Sequence, residues 1–374
     1  MDAYPWIKKP TLLLDTSKAR RNIHQMVVKA NSQNVRLRPH FKTHQSAQVG
    51  ELFREEDVTA ITVSSVEMAA YFARHGWKDI LVAFPVNVRE KDEINALAQT
   101  IHLGLLVESM ETVGFLEQAL KAPVDVWVKV DVGYHRTGLA WDDAAAVASV
   151  CRAVQGQSNS RLRGLLTHGG QSYTAGSPDV AKEIYAECVG RLKTLRQELQ
   201  QNGLAGLELS PGDTPGCVSS DDLGGVDEIR PGNFVFFDAM QLKAGICRAE
   251  EIAVALACPV VALHPERDEV VIYGGAIHLS KDSFVKDGKP CYGYVALPEQ
   301  EGWSAPLKGA WVAHLSQEHG IVHMLSSDLQ RLKAGDLLCI LPAHSCLTVT
   351  AMGEYYTIER SPLKGQRIGT MVKE

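Results

Sequence analysis

Short apolar runs alternate with helical patterns from about residue 35 to about residue 238, and this alternation constrains the fold more than any other feature of the sequence. Runs at 60–64, 79–85 and 124–132 are bounded by turn residues and predict strands. The segments that follow such runs carry apolar residues at helical spacing. The clearest predicted helix has Ser177 as its N-cap and Pro178 in its first turn. Repeated alternation of this kind predicts parallel strands joined by helical crossovers.

A closed barrel explains the repeat better than an open doubly wound sheet, because no GxGxxG loop follows an early strand. After about Arg248 the pattern changes to β-rich stretches, among them 252–263, 337–341 and 347–351. We therefore predict an α/β fold in which a parallel (β/α)8 barrel carries an appended C-terminal β-domain. The predicted boundaries are 1–15 for an N-terminal strand that joins the β-domain, 16–247 for the barrel and 248–374 for the β-domain.

Composition and charge exclude several classes of function. The net charge of −6, with no basic cluster, argues against a nucleic-acid partner. The longest apolar runs are too short to span a membrane, and the first residues lack the charged and apolar regions of a signal peptide. Eight cysteines without a CxxC pair suggest reduced thiols. We therefore expect a cytoplasmic enzyme or binding protein.

A lysine follows the first predicted barrel strand, in the segment RPHFKTH at 38–44. The C-terminal ends of parallel barrel strands hold the active site, so Lys42 is a candidate nucleophilic amine with a lowered pKa. A solvated lysine at a strand end is the alternative that the spacing alone leaves open.

The segment 38–44 resembles the RPHxKTH signature of the D-threonine aldolase and D-serine dehydratase family of pyridoxal-phosphate enzymes, which have an alanine-racemase-like barrel fold. Further matches follow in the family's order along almost the whole chain: DVGYHRTG at 131–138, LTHGGQSY at 166–173, SPGDTP at 210–215, EIRPGNFVFFD at 228–238, QEHG at 317–320 and PAHSCLT at 342–348. The resemblance implies that Lys42 carries pyridoxal 5'-phosphate as a Schiff base. It also implies a homodimer.

The resemblance also assigns contacts with the cofactor. Two glycine-containing turns supply the predicted phosphate contacts, Gly212, Thr214, Gly232 and Asn233. Arg136 is expected near the phenolic oxygen and Tyr173 at the pyridine nitrogen, where a neutral phenol would make the ring a weaker electron sink. Each feature alone has a structural alternative. The two turns are then ordinary strand-to-helix connections, Arg136 forms a surface ion pair, and Tyr173 is a buried residue of the core.

His344 and Cys346 form a candidate metal site. Two residues at i and i+2 on a strand project to the same face, and an imidazole with a thiolate favours zinc, with manganese as the alternative. Without the family resemblance, a His-x-Cys pair is more often a buried core cysteine near a histidine that binds no metal with it. In the family the resemblance names, the dehydratase branch has cysteine at this place and the aldolase branch has aspartate.

The expected function is a metal-dependent lyase acting on a D-β-hydroxy amino acid. A dehydratase of the D-serine or D-3-hydroxyaspartate type, which gives a keto acid and ammonia, is the first hypothesis. A D-threonine aldolase is the second, with His168 or metal-bound water as the base that takes the hydroxyl proton. An amino-acid racemase and a pyridoxal-phosphate carrier protein are further alternatives. At 273–275 the chain has Tyr-Gly-Gly where the family commonly has Asp-Ala-Gly, which leaves the substrate's side chain open.

Overall fold

The computed structural model describes residues 3–365. The ends of the predicted regions 1–15 and 248–374 lie outside these residues. The chain divides into two compact units. The barrel unit comprises His24–Lys42 and Gly50–Gly232, and the β unit comprises Thr43–Val49 with the described parts of Met1–Ile23 and Asn233–Glu374. The domain boundaries drawn from the sequence stay predictions.

Strands and helices are numbered in chain order. The strands are β1 Thr11–Leu14, β2 Arg36–Leu37, β3 Ala60–Val63, β4 Asp79–Pro85, β5 His102–Val107, β6 Val124–Asp131, β7 Leu139–Ala140, β8 Ser160–Leu166, β9 Glu208–Ser210, β10 Glu228–Ile229, β11 Val254–His264, β12 Glu269–Tyr273, β13 Phe284–Lys286, β14 Lys289–Cys291, β15 Gly293–Ala296, β16 Pro298–Glu299, β17 Gly302–Trp303, β18 Trp311–Leu315, β19 His319–His323, β20 Leu337–Pro342, β21 Glu354–Thr357 and β22 Pro362–Lys364. The α-helices are α1 Thr16–Ser32, α2 Ala47–Arg54, α3 Val66–Arg74, α4 Lys91–Ala98, α5 Met110–Ala119, α6 Ala144–Gln155, α7 Pro178–Gln201, α8 Thr214–Ser219, α9 Ala239–Lys243, α10 Ala276–Leu279, α11 Ser326–Leu329 and α12 Ser345–Met352.

The barrel unit contains a closed ring of parallel strands. Six strands pair in the order β3-β4-β5-β6-β8-β9, and β10 pairs with β2. Backbone hydrogen bonds close the ring on both sides, from Thr62 N to Pro39 O at 2.9 Å and from Arg230 N to Pro211 O at 3.2 Å. The predicted (β/α)8 barrel is confirmed. Helix α7 begins as predicted, since the Ser177 side chain accepts a hydrogen bond from Val180 N and Pro178 follows it.

The β unit is built on an antiparallel sheet. Its strands run in the order β12-β19-β18-β15-β20-β11-β1-β21-β22, and a further pairing of β12 with β11 closes part of the sheet into a ring. The N-terminal strand β1 pairs antiparallel with β11 and parallel with β21. The predicted C-terminal β-domain is therefore confirmed as a fold. One stretch was predicted wrongly, because 347–351 lies in helix α12 and not in a strand.

Within residues 3–365, no helix combines the length and the apolar character that crossing a membrane requires.

Ion pairs occupy the N-terminal end of the barrel strands. Glu228, at the start of β10, is almost fully buried and accepts hydrogen bonds from Arg38 Nε at 2.7 Å and from Ser210 Oγ at 2.8 Å. Arg38 also contacts Asp79 Oδ1 at 2.6 Å, at the start of β4. A buried pair of this kind fixes the arrangement of strands, because a charge that lost its partner would be strongly unfavourable.

We expect Glu228→Ala to lower the free energy of unfolding by about 3–5 kcal/mol, since it leaves the Arg38 guanidinium without its buried partner. Denaturant unfolding measures the change. Glu187→Ala, which removes an exposed ion pair with Arg191 on α7, is the control and should cost less than about 1 kcal/mol. Equal losses in the two variants would contradict the buried pair's structural role.

Candidate active site

An aromatic anchor holds the segment that carries Lys42. The segment continues from β2, and Phe41 N donates to Thr62 O at 2.8 Å. The Phe41 ring is fully buried and lies 4.9–5.0 Å, centroid to centroid, from Phe53, Phe72 and Trp77. Because Phe41 is fixed on the adjacent residue, the backbone of Lys42 has a defined place beyond the C-terminal end of its strand.

The lowered pKa values of two histidines in the barrel unit indicate that positive charge is concentrated around Lys42. Burial lowers the pKa of His168 well below its usual value, and the nearby cations Lys42 and Arg136 lower it further. The pKa of His40 is lowered in the same way, by burial first and then by Lys42 and Arg230. Both imidazoles are therefore uncharged at neutral pH. A negatively charged ligand among these cations would be strongly stabilised.

Two further cations of the barrel unit are buried and were not predicted from the sequence as site residues. Lys129 is 5% exposed, and burial, together with Arg230 and Arg136, lowers its pKa to about 7. Arg230 is also buried, and burial lowers its pKa to about 10. Lys129 leaves a signal in the sequence, because it is the one charged residue in the buried run 126–130 of β6.

The predicted phosphate residue Thr214 belongs to a turn organised by Asp213. This carboxylate is buried, accepts a hydrogen bond from Ser172 Oγ at 2.5 Å, and caps α8 by accepting one from Gly216 N at 2.7 Å. Tyr173, the residue after Ser172, has its hydroxyl oxygen 3.4 Å from Thr214 N. The structure thus brings Tyr173 and Thr214 together.

Gly212 and His168 meet at the same turn. His168 Nδ1 lies 3.0 Å from Gly212 O, and since a carbonyl oxygen only accepts, Nδ1 carries the proton and Nε2 is the acceptor. A Cβ atom at Gly212 would lie 2.4 Å from Arg230 N, at a φ of +153°. Glycine is required there because two backbone segments approach each other closely.

Arg136 lies on the exposed loop after β6, with its guanidinium 5.2 Å from the Tyr134 ring centre.

The second predicted phosphate turn is buried at both Gly232 and Asn233. The Asn233 amide donates to Asp238 Oδ2 at 2.7 Å and to Ser345 Oγ at 2.9 Å. Because both hydrogens of the amide are used within the β unit, the predicted phosphate contact of Asn233 is confined to its backbone. Its Oδ1 atom is buried without a hydrogen-bond partner.

His344 and Cys346 lie close together, but the predicted reason was wrong. They do not alternate on a strand: β20 ends at Pro342, His344 is the N-cap of α12, and Cys346 lies in its first turn. The β-branched residues of this segment favour a strand, whereas the structure places them in a short helix. The extended backbone of the N-cap, with φ −134° and ψ 111°, still allows the imidazole to share a hydrogen bond with Cys346.

Other groups in the β unit contact this pair. His344 Nδ1 lies 3.1 Å from Asp238 Oδ2, and Thr43 Oγ1 lies 3.2 Å from Cys346 Sγ. Burial opposes the charged imidazole, but the Cys346 sulfur and the Asp238 carboxylate outweigh it and raise the pKa of His344 well above its usual value. Within residues 3–365, no set of three or more histidine, cysteine, aspartate or glutamate side chains is placed to hold a metal ion.

The 273–275 segment leads into α10, which packs on α12. A Cβ atom at Gly275 would lie 2.4 Å from Gln317 O, so a larger residue does not fit. Gly275 N donates to His278 Nδ1 at 3.2 Å, and Thr348 Oγ1 of α12 donates to Leu279 O at 3.2 Å. Gly275, which the usual Asp-Ala-Gly pattern shares, thus permits a close backbone approach, whereas at Gly274, which replaces the alanine, a Cβ atom would lie 2.4 Å from Cys258 Sγ.

Family comparison agrees with this fold and these motifs. The model "Alanine racemase, N-terminal domain" matches residues 14–240, and the model "Putative serine dehydratase domain" matches residues 253–358. The chain therefore belongs to the alanine racemase N-terminal domain family, with a serine dehydratase-type second part. The resemblance to D-threonine aldolases and D-serine dehydratases is confirmed.

Individual relatives match along almost their whole length. The chain is 29% identical over 362 residues to D-threo-3-hydroxyaspartate dehydratase of Delftia sp. (strain HT23), covering 93% of each chain. It is 28% identical over 376 residues to D-serine dehydratase of Dictyostelium discoideum, covering 94% of this chain and 93% of the relative. The solved Delftia structure aligns with a TM-score of 0.88 at 27% identity, over 98% of this chain and 99% of that one. A cysteine-to-alanine variant of D-threo-3-hydroxyaspartate dehydratase, solved in the metal-free form, aligns with a TM-score of 0.89 at 26% identity, over 98% of this chain and 99% of that one.

The residues of the two units are compatible with the two groups that this family implies, a pyridoxal-phosphate cofactor and a divalent metal ion. The cation cluster of the barrel unit suits a cofactor that carries a phosphate and an aldehyde, since Lys42 supplies an amine and the other cations oppose its charge. In the β unit, an imidazole and a sulfur side by side form a soft ligand pair. With two protein ligands, the remaining coordination positions would belong to substrate and water.

The buried carboxyl of Asp213 predicts a pH effect on stability. Burial raises its pKa from 3.8 to about 6, so the folded state binds this proton more tightly than the unfolded state does. Its contribution is complete below about pH 4 and is lost as the pH rises through about 6, by about 3 kcal/mol in all. We expect Asp213→Asn to lack this loss when unfolding of the cofactor-free protein is followed from pH 4 to pH 7.

Ser172→Ala provides the opposite control. The Ser172 hydrogen bond favours the ionised form and lowers the pKa of Asp213, so its removal should steepen the loss of stability. If the wild type and Asp213→Asn had parallel pH profiles, Asp213 would not be the group that titrates.

Proposed function

We propose that the protein is a pyridoxal-phosphate- and metal-dependent lyase acting on a D-β-hydroxy amino acid, most directly a dehydratase of the D-serine or D-3-hydroxyaspartate type. The observation that carries the proposal is the hydrogen-bonded His344–Cys346 pair, in a chain whose barrel unit places a lysine among cations. The named dehydratases that match over almost the whole chain support it. The products would be a 2-keto acid and ammonia.

The barrel residues have separate tasks in this proposal. Lys42 would hold the aldehyde group of the cofactor, and its amine would take the α-proton of the substrate. Arg136 would stabilise negative charge on the phenolic oxygen, and Tyr173 would contact the ring nitrogen. Gly212, Thr214, Gly232 and the backbone of Asn233 would bind the phosphate. When bound, pyridoxal phosphate supplies an electron sink for the carbanion that proton removal leaves.

His344 and Cys346 would hold the divalent ion, for which zinc fits the ligands better than manganese. Such an ion supplies a Lewis acid for the β-hydroxyl group. Elimination needs no strong base at that hydroxyl, whereas retro-aldol cleavage does. His168, one of the two candidate bases of the aldolase alternative, has a pKa well below its usual value and is a weak base. This argues against cleavage that uses His168 as its base.

The racemase and carrier alternatives fit less well. A racemase has no use for the His344–Cys346 pair, and a carrier has no use for the β unit. A cytoplasmic location and a homodimer are part of the proposal. The first is supported by eight cysteines that are all free and buried, and the second by the family resemblance.

The reaction predicts specific products. Incubated with D-serine, D-threonine or D-3-hydroxyaspartate, the holoenzyme should release a keto acid and ammonia in equal amounts. Coupled keto-acid and ammonia assays measure this. Glycine and an aldehyde would indicate the aldolase instead, and the L-amino acid alone would indicate the racemase.

Borohydride reduction followed by peptide mapping should find the cofactor on Lys42, and Lys42→Ala should abolish turnover.

Metal removal separates the lyase from the other hypotheses. The isolated protein should contain about one zinc ion per chain. Chelation should abolish keto-acid formation and leave the absorption spectrum of the bound cofactor unchanged, because no barrel residue proposed to hold the cofactor is a metal ligand. Cys346→Ala should have the same effect. Turnover at the native rate after complete chelation would exclude a catalytic role for the ion.

A further inference from the structure

A buried carboxylate outside the predicted site residues organises the His344–Cys346 pair. Asp238 is fully buried in the β unit. Four donors surround it: its Oδ2 atom lies near Asn233 Nδ2 at 2.7 Å, Ser345 N at 3.2 Å and His344 Nδ1 at 3.1 Å, and its Oδ1 atom accepts from Gln241 N at 3.1 Å.

These contacts determine which nitrogen of His344 carries a proton towards Asp238. An amide nitrogen, whether of the backbone or of asparagine, can only donate. Both oxygens of Asp238 therefore accept hydrogen bonds from groups that can only donate. Since Oδ2 already accepts from two such donors, Asn233 Nδ2 and Ser345 N, it is an acceptor towards His344 as well, and Nδ1 is the donor in the 3.1 Å contact. Nε2 is then the nitrogen at which a metal ion would bind, in place of the proton that the charged imidazole carries there.

The same carboxylate joins three pieces of the β unit. It is the N-cap of α9, it binds the first backbone N–H of α12 at Ser345, and it holds the side chain of Asn233 beside the predicted phosphate turn. A carboxylate that only capped a helix would need neither the imidazole nor the asparagine. Its burial among four donors is a costly arrangement, which the pairing with a histidine makes favourable.

We propose that Asp238 is a positioning residue that fixes His344 in the Nδ1–H form and aims its Nε2 atom at a divalent metal ion. The proposal rests on the metal site of the proposed function and adds to it the binding nitrogen and the residue that selects it. Carboxylate partners of metal-bound histidines orient the ring and raise its basicity, and their loss weakens metal affinity by about 10- to 100-fold.

Asp238→Asn tests the inference with little change in shape. The amide oxygen, placed where Oδ2 accepts from three donors, is an uncharged and weaker acceptor for the His344 Nδ1–H, so the imidazole is oriented and polarised less strongly. In the pyridoxal-phosphate-loaded protein, we expect zinc affinity, measured by competition with a chelating dye, to fall about 10- to 100-fold. The cofactor spectrum should be unchanged.

Ser345→Ala is the matched control. It removes the hydroxyl that contacts Asn233 but keeps the backbone N–H that contacts Asp238, so it should retain the zinc affinity of the wild type. A thermal unfolding curve for each variant identifies any general loss of structure. Nitrogen NMR of histidine-labelled, zinc-saturated wild type gives a readout independent of the variants, and it should show Nδ1 protonated and Nε2 bound to zinc in His344.

The outcomes distinguish the two levels of the proposal. If the wild type binds no zinc, or if His344→Ala binds it equally well, the metal site itself is wrong and the inference falls with it. If the wild type binds zinc through His344 but Asp238→Asn has the same affinity, only the role of Asp238 is overturned. Zinc bound to Nδ1 of His344 in the NMR spectrum would overturn it too.

Discussion

The concentration of positive charge in the barrel unit is the constraint on which the rest of the site depends. Lys129 and Arg230 are almost fully buried, where separation from water disfavours the charged form of each. For Arg230, hydrogen bonds to Ser210 Oγ at 2.7 Å and to the carbonyl oxygen of Ser210 at 2.8 Å offset part of the free-energy cost of burying the charge. For Lys129 the structure gives a bond from Nζ to Val130 O at 3.1 Å. An anionic cofactor would relieve the repulsion that remains.

The fold could be predicted from the sequence because its signals are local and repeated. Each barrel strand is a short apolar run, and each following helix has its own start signal, as Ser177 and Pro178 show for α7. The error at 347–351 has a physical cause, because the β-branched residues there have strand propensity but form a helix that packs on α10. Tertiary contacts outweigh propensity in a segment this short.

The candidate site was predicted only where a residue belongs to a motif with known chemistry. Lys42 and the His344–Cys346 pair stand out in this way. Lys129 is visible only as a charge within an apolar run, and Asp238 gives no signal of its own. The roles of both depend on groups far away in the chain: Arg230 lies near Lys129, and His344 contacts Asp238 from 106 residues further on. Partners at such separations are set by the fold, and a single sequence does not reveal them.

Each unit of the protein uses one buried carboxylate for a similar purpose. Asp213 caps α8 and holds Ser172, which places Tyr173 against Thr214; Asp238 caps α9 and holds His344 and Asn233. In both cases the carboxylate accepts a hydrogen bond from a backbone N–H in the first turn of a helix, which needs such an acceptor. The same carboxylate also fixes a side chain with a proposed chemical role. The difference lies in the partners. Asp213 accepts from a neutral hydroxyl and burial raises the pKa of its carboxyl to about 6, whereas Asp238 accepts from the amides of Asn233 and Ser345 and also faces an imidazole. Of the two carboxyl groups, Asp238 is therefore the one whose contacts fix which imidazole nitrogen carries a proton towards it.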